Sequence, residues 1–399
     1  MADLLFLTQR VPYPPNKGEK LRAWQILRHF ATRFRVHLGA LVDDPADFAH
    51  RGVLDDLCAS VCLVPLDRRR AKLWCLRGLL TGEALSVAYF RHPTLARWVD
   101  GVLADKPPAV FVFSSNMAPY VMDAQPPPGQ RRVLDLVDVD SEKWRAYAAE
   151  AGLAGRLIYG REGRRIAALE REACGKFDAA TLVSAPEAAL LARQVPEHAA
   201  RILAIANGVD HVYYDPAIPL ADPYLPGGPD FVFTGTMDYP PNVDAVTWFA
   251  DAVLPGLRAR LPGARFWIVG HSPTEAVRRL ATSEGITVTG KVEDVRPYLR
   301  YATAAVAPLR IARGIQNKVL EGMAMAVPVI ASPEALEGIA ARPGTELLVA
   351  SGAAEYGAAC AGLAADPGRA AAIGAAARAR VLADHGWAAR LAGFDRLLG

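Results

Sequence analysis

Four charged residues within residues 303–332 have types and a spacing that could bind an anion and a diol. Arg310 and Arg313 precede a stretch with helical periodicity, in which Lys318 is followed three positions later by Glu321. Arginine and lysine bind phosphate oxygens, and a carboxylate can accept hydrogen bonds from both hydroxyls of a vicinal diol. The alternative is a solvated basic loop with Glu321 as a surface charge. Glu321 lies inside a strongly apolar run, which favours the binding site.

The elements around these residues form a strand–loop–helix–strand unit. Ala304–Leu309 and Val327–Ala331 are apolar runs typical of buried strands. Between them, apolar residues recur three and four positions apart, which predicts a helix. Such units belong to parallel sheets, whose ligands collect at the carboxyl ends of strands, beside the free N–H groups of helix N-termini. A nucleotide diphosphate carries both the anion and the diol.

Two further segments carry candidate residues in the first half of the chain. The loop 8–19 is rich in proline, ends near Gly18 and is followed by the cations Lys20 and Arg22. From its residues alone, a structural role and a ligand-binding role for this loop are about equally supported. After a predicted strand, Asp138 and Asp140 form a D-x-D that could orient or deprotonate a hydroxyl. Asp140 or Ser141 could instead cap the next helix. Metal binding by the D-x-D is the rival hypothesis.

Glycine-containing turns follow three predicted strands in the second half. Gly235 and Gly270 would allow a ligand to approach the backbone, and Thr236 and Asn242 lie where the next helix begins. Val292 follows another glycine turn, Gly290. A single glycine after a strand is weak evidence, so these residues depend on the segment 303–332 for their interpretation.

The composition is that of an ordered two-domain protein. The chain has 399 residues, 52% hydrophobic and 22% charged, and a net charge of +3, which is too small to indicate nucleic-acid binding. The five cysteines have no metal-ligand spacing and are expected to be free thiols. The N-terminus lacks the pattern of a signal peptide, and no apolar run is long enough to span a bilayer. We therefore expect a cytoplasmic protein.

Alternating strands and helices predict two doubly wound parallel sheets. Seven strands are predicted before residue 206: Leu4–Leu7, Val36–Leu41, Val61–Pro65, Ala109–Phe113, Arg132–Val137, Ala179–Val183 and Ile202–Ile205. Six follow residue 230: Phe231–Thr234, Phe266–Val269, Ile286–Thr289, Ala304–Ala307, Val327–Ala331 and Leu347–Val349. The predicted domains are 1–208 and 230–375, with a linker at 209–229 that is rich in proline and glycine, and C-terminal helices at 376–399.

Two basic stretches contain aromatic and aliphatic residues at helical spacing. These are Arg68–Arg77, with Leu73 and Trp74, and Arg156–Arg171, with Leu157 and Ile158. Basic amphipathic helices suit an anionic membrane surface. An ordinary helix with a solvated arginine face is an equally good interpretation.

The segment 303–332 resembles the nucleotide-sugar-binding segment of GT-B glycosyltransferases of family 4. Glu321 matches the second Glu of the family's E-x7-E, which holds the ribose, whereas Arg313 stands where the first Glu is usual. Ala326 replaces a usual glycine. The form R-x3-G-I-Q-N-K-V-L-E, with D-x-D-S-x-K-W at 138–144, is similar to a subgroup associated with PEP-CTERM/exosortase exopolysaccharide clusters. The resemblance makes Arg310 and Lys318 charge partners of the diphosphate.

The resemblance covers nearly the whole chain and implies a GT-B fold, in which two Rossmann-like domains face a cleft and the last helix packs on the N-terminal domain. It implies a retaining transferase that uses a UDP- or GDP-sugar, without a cofactor or metal, and a lipid-linked or polysaccharide acceptor. The implied catalytic residues are Asp138, Asp140, Arg310 and Lys318. The implied sugar-donor-binding residues are Gly18, Gly235, Thr236, Asn242, Gly270, Val292, Gly314, Gln316, Asn317 and Glu321. The implied acceptor-side residues are Lys17, Lys20, Arg22 and Lys143.

Two alternatives remain open at this stage. A sugar-nucleotide epimerase with the same fold would need no acceptor. A non-catalytic nucleotide-sugar-binding scaffold is suggested by Arg313 in place of the usual Glu.

Overall fold

The chain forms two compact units, each with its own parallel sheet. The computed structural model describes residues 1–15, 18–312 and 315–399. Unit 1 comprises Met1–Ala206 and Leu391–Gly399, and unit 2 comprises Asn207–Arg390. The segment 209–229, predicted to be a linker, belongs to unit 2. The last nine residues, which include most of the helix expected to pack on the N-terminal domain, belong to unit 1.

In the part of unit 1 that the structure describes, seven strands form a parallel sheet in the order β3-β2-β1-β4-β5-β6-β7. The strands are β1 (Ala2–Thr8), β2 (Phe34–Val42), β3 (Ser60–Pro65), β4 (Ala109–Phe113), β5 (Arg131–Val137), β6 (Ala179–Leu182) and β7 (Ile202–Ala204). The α-helices are α1 (Gly18–Ala31), α2 (Arg51–Asp55), α3 (Arg68–Cys75), α4 (Arg77–Thr81), α5 (Leu85–Phe90), α6 (Pro93–Ala104), α7 (Asp140–Glu150), α8 (Leu153–Lys176) and α9 (Ala185–Gln194). Short 3₁₀ helices span Pro45–His50, Ser115–Tyr120 and Pro196–Arg201.

The described part of unit 2 contains a six-stranded parallel sheet in the order β10-β9-β8-β11-β12-β13. The strands are β8 (Asp230–Thr234), β9 (Arg265–Val269), β10 (Ile286–Gly290), β11 (Ala304–Ala307), β12 (Val329–Ala331) and β13 (Leu348–Val349). The α-helices are α10 (Pro240–Trp248), α11 (Leu254–Arg260), α12 (Glu275–Leu280), α13 (Arg296–Tyr301), α14 (Asn317–Ala324), α15 (Pro333–Leu336), α16 (Ala353–Ala365) and α17 (Pro367–Arg380). One-turn π-helices, Phe249–Val253 and Val381–His385, continue α10 and α17. Helix α18 (Trp387–Leu398) begins in unit 2, and its residues from Leu391 onward belong to unit 1.

The apolar runs of the sequence form the cores of both units. Leu4 to Leu7 of β1 are fully buried, and they lie beside equally buried residues of β2 and β4. In unit 2 the largest buried cluster joins strands β8, β9, β11 and β12 to helices α10, α14 and α16. Strands buried on both faces are expected to be near-continuous apolar runs. The predicted pair of doubly wound parallel sheets is therefore confirmed.

Helix α14 ends in a Schellman motif. The amide of Ala326 donates to the carbonyl of Met323 at 3.1 Å, and the amide of Val327 donates to that of Gly322 at 3.1 Å. This geometry puts Ala326 in the left-handed region at φ 55°. Glycine is the usual residue at this position because a Cβ is strained there. Ala326 therefore occupies a position where glycine would be preferred.

The residue ranges that the structure describes include no helix that is long and apolar enough to cross a membrane.

Candidate functional site

The carboxyl edge of the unit 2 sheet has a switch point between β8 and β11, where the strand order reverses. Ligands of open α/β sheets bind at such points. The chain leaves β8 at Gly235 and enters α10 at Pro240, and it leaves β11 at Pro308 and enters α14 at Asn317. The two segments predicted to bind the sugar donor therefore begin on neighbouring strands.

Two glycines allow the backbone segments that follow β8 and β9 to pack closely at this edge. The amide of Gly235 donates to the carbonyl of Val269 at 3.1 Å. A Cβ built on Gly270 would lie only 1.7 Å from the carbonyl oxygen of Gly235, and one built on Gly235 would lie 2.8 Å from Nδ2 of Asn242. Any side chain at Gly270 would therefore separate β8 from β9.

Lys318 and Asn242 meet across the switch point. Nζ of Lys318 donates to Oδ1 of Asn242 at 3.1 Å, and Nδ2 of Asn242 donates to the carbonyl of Thr236 at 2.9 Å. The ammonium also lies 5.2 Å from the centre of the Phe233 ring. Burial lowers the pKa of Lys318 to about 8, although the carboxylate of Glu321 opposes this shift. A partly desolvated cation is thus held where the two helices begin.

Glu321 lies one turn further along α14 and is partly buried. Burial raises the pKa of its carboxyl, while Lys318 and a hydrogen bond from the hydroxyl of Tyr214 lower it. The spacing of Lys318 and Glu321 was predicted to place both side chains on one face, and in the structure each charge is near enough to shift the pKa of the other. The contact of Tyr214 was missed, since its segment was interpreted as a linker.

Arg310 is not a free cation in this structure. Its guanidinium makes a bidentate ion pair with Asp244 of α10, with Nε 2.9 Å from Oδ2, and its side chain is half exposed. The same carboxylate raises the pKa of Arg310. Asp244 was not singled out from the sequence, although it lies two residues after Asn242 in the first turns of α10.

The other sugar-donor candidates lie around the same edge. Thr236 Oγ1 is 3.1 Å from Nε2 of His271. Val292, in the loop after β10, is partly buried against the unit 2 core. Gln316 occupies the N-cap position of α14, and Asn317 is the first residue of the helix. Gly314 and Arg313 lie outside the described residues.

The predicted acceptor-side role of two residues of unit 1 is not supported by their placement. Nζ of Lys20 forms a buried ion pair with Asp47 at 2.7 Å. Arg22 is 1% exposed and donates to both carboxylate oxygens of Asp135, at 2.7 and 2.9 Å. The charges of Lys20 and Arg22 are therefore neutralised by ion pairs inside unit 1. Gly18 begins α1, with open space where a Cβ would be, and Lys17 lies outside the described residues.

The acidic loop after β5 presents two carboxylates to one lysine. Nζ of Lys143 lies 2.9 Å from Asp138 and 3.3 Å from Asp140, whose other oxygen accepts from the hydroxyl of Ser115 at 2.9 Å. Burial lowers the pKa of Lys143, but the two carboxylates outweigh it and raise the pKa above its ordinary value. The loop starts from a strained residue, Val137, at φ 71°. Strain of this kind often marks functional sites.

Two glutamates, one buried and one partly buried, hold the backbone of this acidic loop. Glu187 of α9 accepts from the amide of Val139 at 2.9 Å, and Glu170 of α8 accepts from the amide and hydroxyl of Ser141 at 3.1 and 2.6 Å. Burial raises the pKa of Glu170 to about 7. The motif Ser184-x-x-Glu187 was interpreted as a helix cap, and the hydroxyl of Ser184 does accept from the amide of Glu187. Within the described ranges, no cluster of three or more His, Cys, Asp or Glu side chains has a metal-binding arrangement.

One flank of unit 1 exposes large apolar side chains beside cations. Arg161 of α8 joins α8 to the α4–α5 segment by donating to the carbonyls of Gly78 and Glu83, at 2.5 and 3.0 Å. We call the exposed residues of α3, the turn into α4, α4 and the first turns of α8 the apolar flank: Leu73, Trp74, Leu76, Leu79, Leu153, Leu157 and Ile158. Each is at least half exposed, from 51% for Ile158 to 86% for Leu153. Exposed apolar surface next to basic residues marks an interaction site.

The comparisons with known proteins agree with this geometry. Residues 228–366 match a family model described as glycosyl transferases group 1. No curated protein matches the chain. Among solved structures, a sucrose-phosphate synthase from Thermosynechococcus elongatus has a TM-score of 0.68 and 17% identity, covering 100% of this chain and 98% of that one.

Two further structures show the same likeness. HepE from Anabaena, in complex with UDP and glucose, has a TM-score of 0.63 and 13% identity, covering 100% of this chain and 99% of its own. WaaG, a glycosyltransferase involved in lipopolysaccharide biosynthesis, has a TM-score of 0.63 and 16% identity, with 99% and 100% coverage. At these identities the structures show a shared two-domain GT-B fold. The group 1 match over residues 228–366 of unit 2, together with that shared fold, supports glycosyl transfer.

Proposed function

We propose that the protein transfers a sugar from a nucleotide-diphosphate donor, with retention of anomeric configuration, as a member of family 4. The contact of Lys318 with Asn242 at the switch point of unit 2, one helical turn from Glu321, carries this proposal. A cation beside two helix N-termini suits a diphosphate, and a carboxylate suits the ribose. HepE has been solved in complex with UDP and glucose, and also with UDP-glucose. UDP is therefore the first nucleotide to test.

In this mechanism Lys318 stabilises the charge that develops on the leaving diphosphate. Its ammonium is already desolvated and held by Asn242, so little reorganisation is needed when the sugar–phosphate bond breaks. Arg310 adds charge only where the phosphate competes with Asp244 for the guanidinium. Many members of family 4, which this chain resembles, have an Arg and a Lys after the first strand of this domain. This chain has Thr236 and Asn242 in that turn, which leaves Lys318 as the main cation.

We assign Asp138 and Asp140 to the acceptor hydroxyl. Glu170 and Glu187 accept from amides of their loop, and Nζ of Lys143 lies within 3.3 Å of both carboxylates. A fixed carboxylate can orient an alcohol and accept its proton. The D-x-D-S-x-K-W string supports a lipid-linked or polysaccharide acceptor and a role in exopolysaccharide synthesis of the PEP-CTERM-associated type.

A transfer assay and a binding assay test the function separately. Thermal unfolding with UDP, GDP and ADP should show stabilisation by one of them, because a ligand that binds the folded state raises the midpoint. Product analysis with the matching nucleotide sugar should then show transfer to a lipid-linked or saccharide acceptor. Release of a free or altered sugar without an acceptor would favour an epimerase. Nucleotide binding without any turnover would favour a non-catalytic scaffold, the alternative suggested by Arg313.

We also propose that the apolar flank binds the surface of an anionic membrane. Leu157 and Trp74 are 76% and 59% exposed, and arginines lie next to both on α3 and α8. Each cation near such a surface should add about 1 kcal/mol, and the attraction should weaken with salt. Co-sedimentation with vesicles containing phosphatidylglycerol should fall on changing Trp74 and Leu157 to Ser. Equal sedimentation of that variant and the parent would remove this flank from the interface.

A further inference from the structure

The segment interpreted from sequence as a linker contributes a side chain to the nucleotide site. Tyr214 is partly buried against the unit 2 core, and its hydroxyl lies close enough to the carboxylate of Glu321 to lower the pKa of that carboxyl. The neighbouring phenol, Tyr213, points elsewhere: its hydroxyl lies 3.3 Å from Asp294, and Arg296 lies 4.0 Å from the centre of its ring. Of this pair of tyrosines, only Tyr214 has a hydroxyl that lowers the pKa of Glu321.

A single arginine fixes the backbone of Tyr214 to the helix that carries Glu321. Nη1 of Arg378, from α17, donates to the carbonyl of Tyr214 at 3.0 Å and to that of Ala324 at 2.6 Å. Nη2 of the same guanidinium lies 3.1 Å from Asp215. Ala324 is the last residue of α14. The backbone of Tyr214 is therefore tied to the end of α14 by a bridge that does not involve Glu321.

A glutamate must be ordered before it can accept from two hydroxyls at once. Its side chain has three rotatable bonds, and ordering it costs free energy that is otherwise taken from ligand binding. An ionised carboxylate has about four acceptor positions, so one bond from a phenol leaves room for a diol. The same bond favours the ionised form of Glu321, against its burial.

We propose that Tyr214 is a positioning residue for ribose recognition, which it performs by orienting the carboxylate of Glu321 from a backbone that Arg378 holds in place. This inference rests on the proposed nucleotide site and adds a determinant outside the segment 303–332.

The test compares UDP with 2′,3′-dideoxy-UDP on the parent, Tyr214→Phe and the control Tyr224→Phe. Tyr224 is also a largely buried phenol of unit 2, and its hydroxyl donates to the carbonyl of Tyr298. The parent should prefer UDP roughly 100-fold, since two charged hydrogen bonds are lost at about ten-fold or more each. In Tyr214→Phe the preference should fall about ten-fold, through weaker UDP binding, with the affinity for the dideoxy nucleotide unchanged. Tyr224→Phe should keep the parental preference.

A second variant and a pH series complete the experiment. In Arg378→Lys a single ammonium cannot bridge both carbonyls and Asp215. The preference of this variant for UDP over the dideoxy nucleotide should therefore fall, as it does in Tyr214→Phe. On acidification, Tyr214→Phe should lose its affinity for UDP at a higher pH than the parent does. The reason is that Glu321 then lacks the interaction with the hydroxyl that favours its ionised form. Unchanged preference in both variants would overturn the inference and leave the proposed function standing. Failure of the parent to bind either nucleotide would overturn both.

Discussion

Replacing Lys318 by methionine should change how stability depends on pH, in a direction that the structure sets. Burial lowers the pKa of Lys318 from 10.5 to about 8. In the unfolded chain the same lysine should titrate near its ordinary value of about 10.4. Between these values the unfolded state binds a proton that the folded state does not. The unfolding free energy of the parent should therefore rise as the pH increases through this window.

The magnitude follows from the two pKa values. A difference of about 2.5 pKa units, at about 1.4 kcal/mol each, corresponds to roughly 3 kcal/mol across the window. Methionine has a similar shape and no charge, so Lys318→Met should lack this rise. The variant also loses the bond to Asn242 and the contact with the Phe233 ring, so only the pH slope reports the ammonium alone.

Urea denaturation at about pH 7 and about pH 10 measures the effect. The stability of the parent relative to Lys318→Met should increase by roughly 3 kcal/mol between the two conditions. The exposed Lys291 offers the matched control, because Lys291→Met should follow the parent at both. UDP binding should weaken above about pH 8 in the parent, where the ammonium becomes neutral. Identical pH dependence of Lys318→Met and the parent would refute a desolvated ammonium at this position.

Three further substitutions test other parts of the reasoning. Glu321→Ala should weaken UDP binding by about 1.5–3 kcal/mol for each charged hydrogen bond lost, measured by isothermal titration; unchanged affinity in a folded variant would exclude Glu321 from the site. Arg310→Ala should lower turnover about 100-fold while affinity for the intact sugar donor falls much less, and parental kinetics would leave Lys318 as the cation that matters. Ala326→Gly should raise the free energy of unfolding by about 0.5–1 kcal/mol, since relief of the left-handed strain exceeds the added chain entropy, whereas Ala324→Gly should lower it.

The sheets could be predicted from sequence because their strands are apolar runs of ordinary length. Ala304–Ala307 and Ala109–Phe113 were predicted with the bounds that the structure shows. The strand predicted at Val327–Ala331 begins two residues later, at Val329. The reason is local: the amide of Val327 is used by the end of α14, and Pro328 has no amide hydrogen to contribute to a ladder.

The side chains of the site were predictable only where their partners are close in the sequence. The spacing of Lys318 and Glu321 follows from one helical turn. The partners of Lys20 and Arg22 are 27 and 113 positions away, so nothing in the sequence showed that these cations are neutralised in the interior. Tyr214 and its contact with Glu321 were hidden for the same reason. Proline and glycine around the segment indicated a linker. Its position in unit 2 is instead set by contacts with residues far away in the sequence, such as Arg378.

The contact between Gly235 and Gly270 has a consequence for how this enzyme could diverge. The backbone beside the proposed nucleotide site can pack this closely only without side chains, since any Cβ on Gly270 would overlap the carbonyl oxygen of Gly235. Backbone that is fixed in this way does not depend on which charged residues surround it. Positive charge can then move from the turn before α10 to Lys318 on α14 without rebuilding the surface on which the phosphates would rest. Substitutions can thus exchange the cations around the phosphates while the same pair of glycines stays in place.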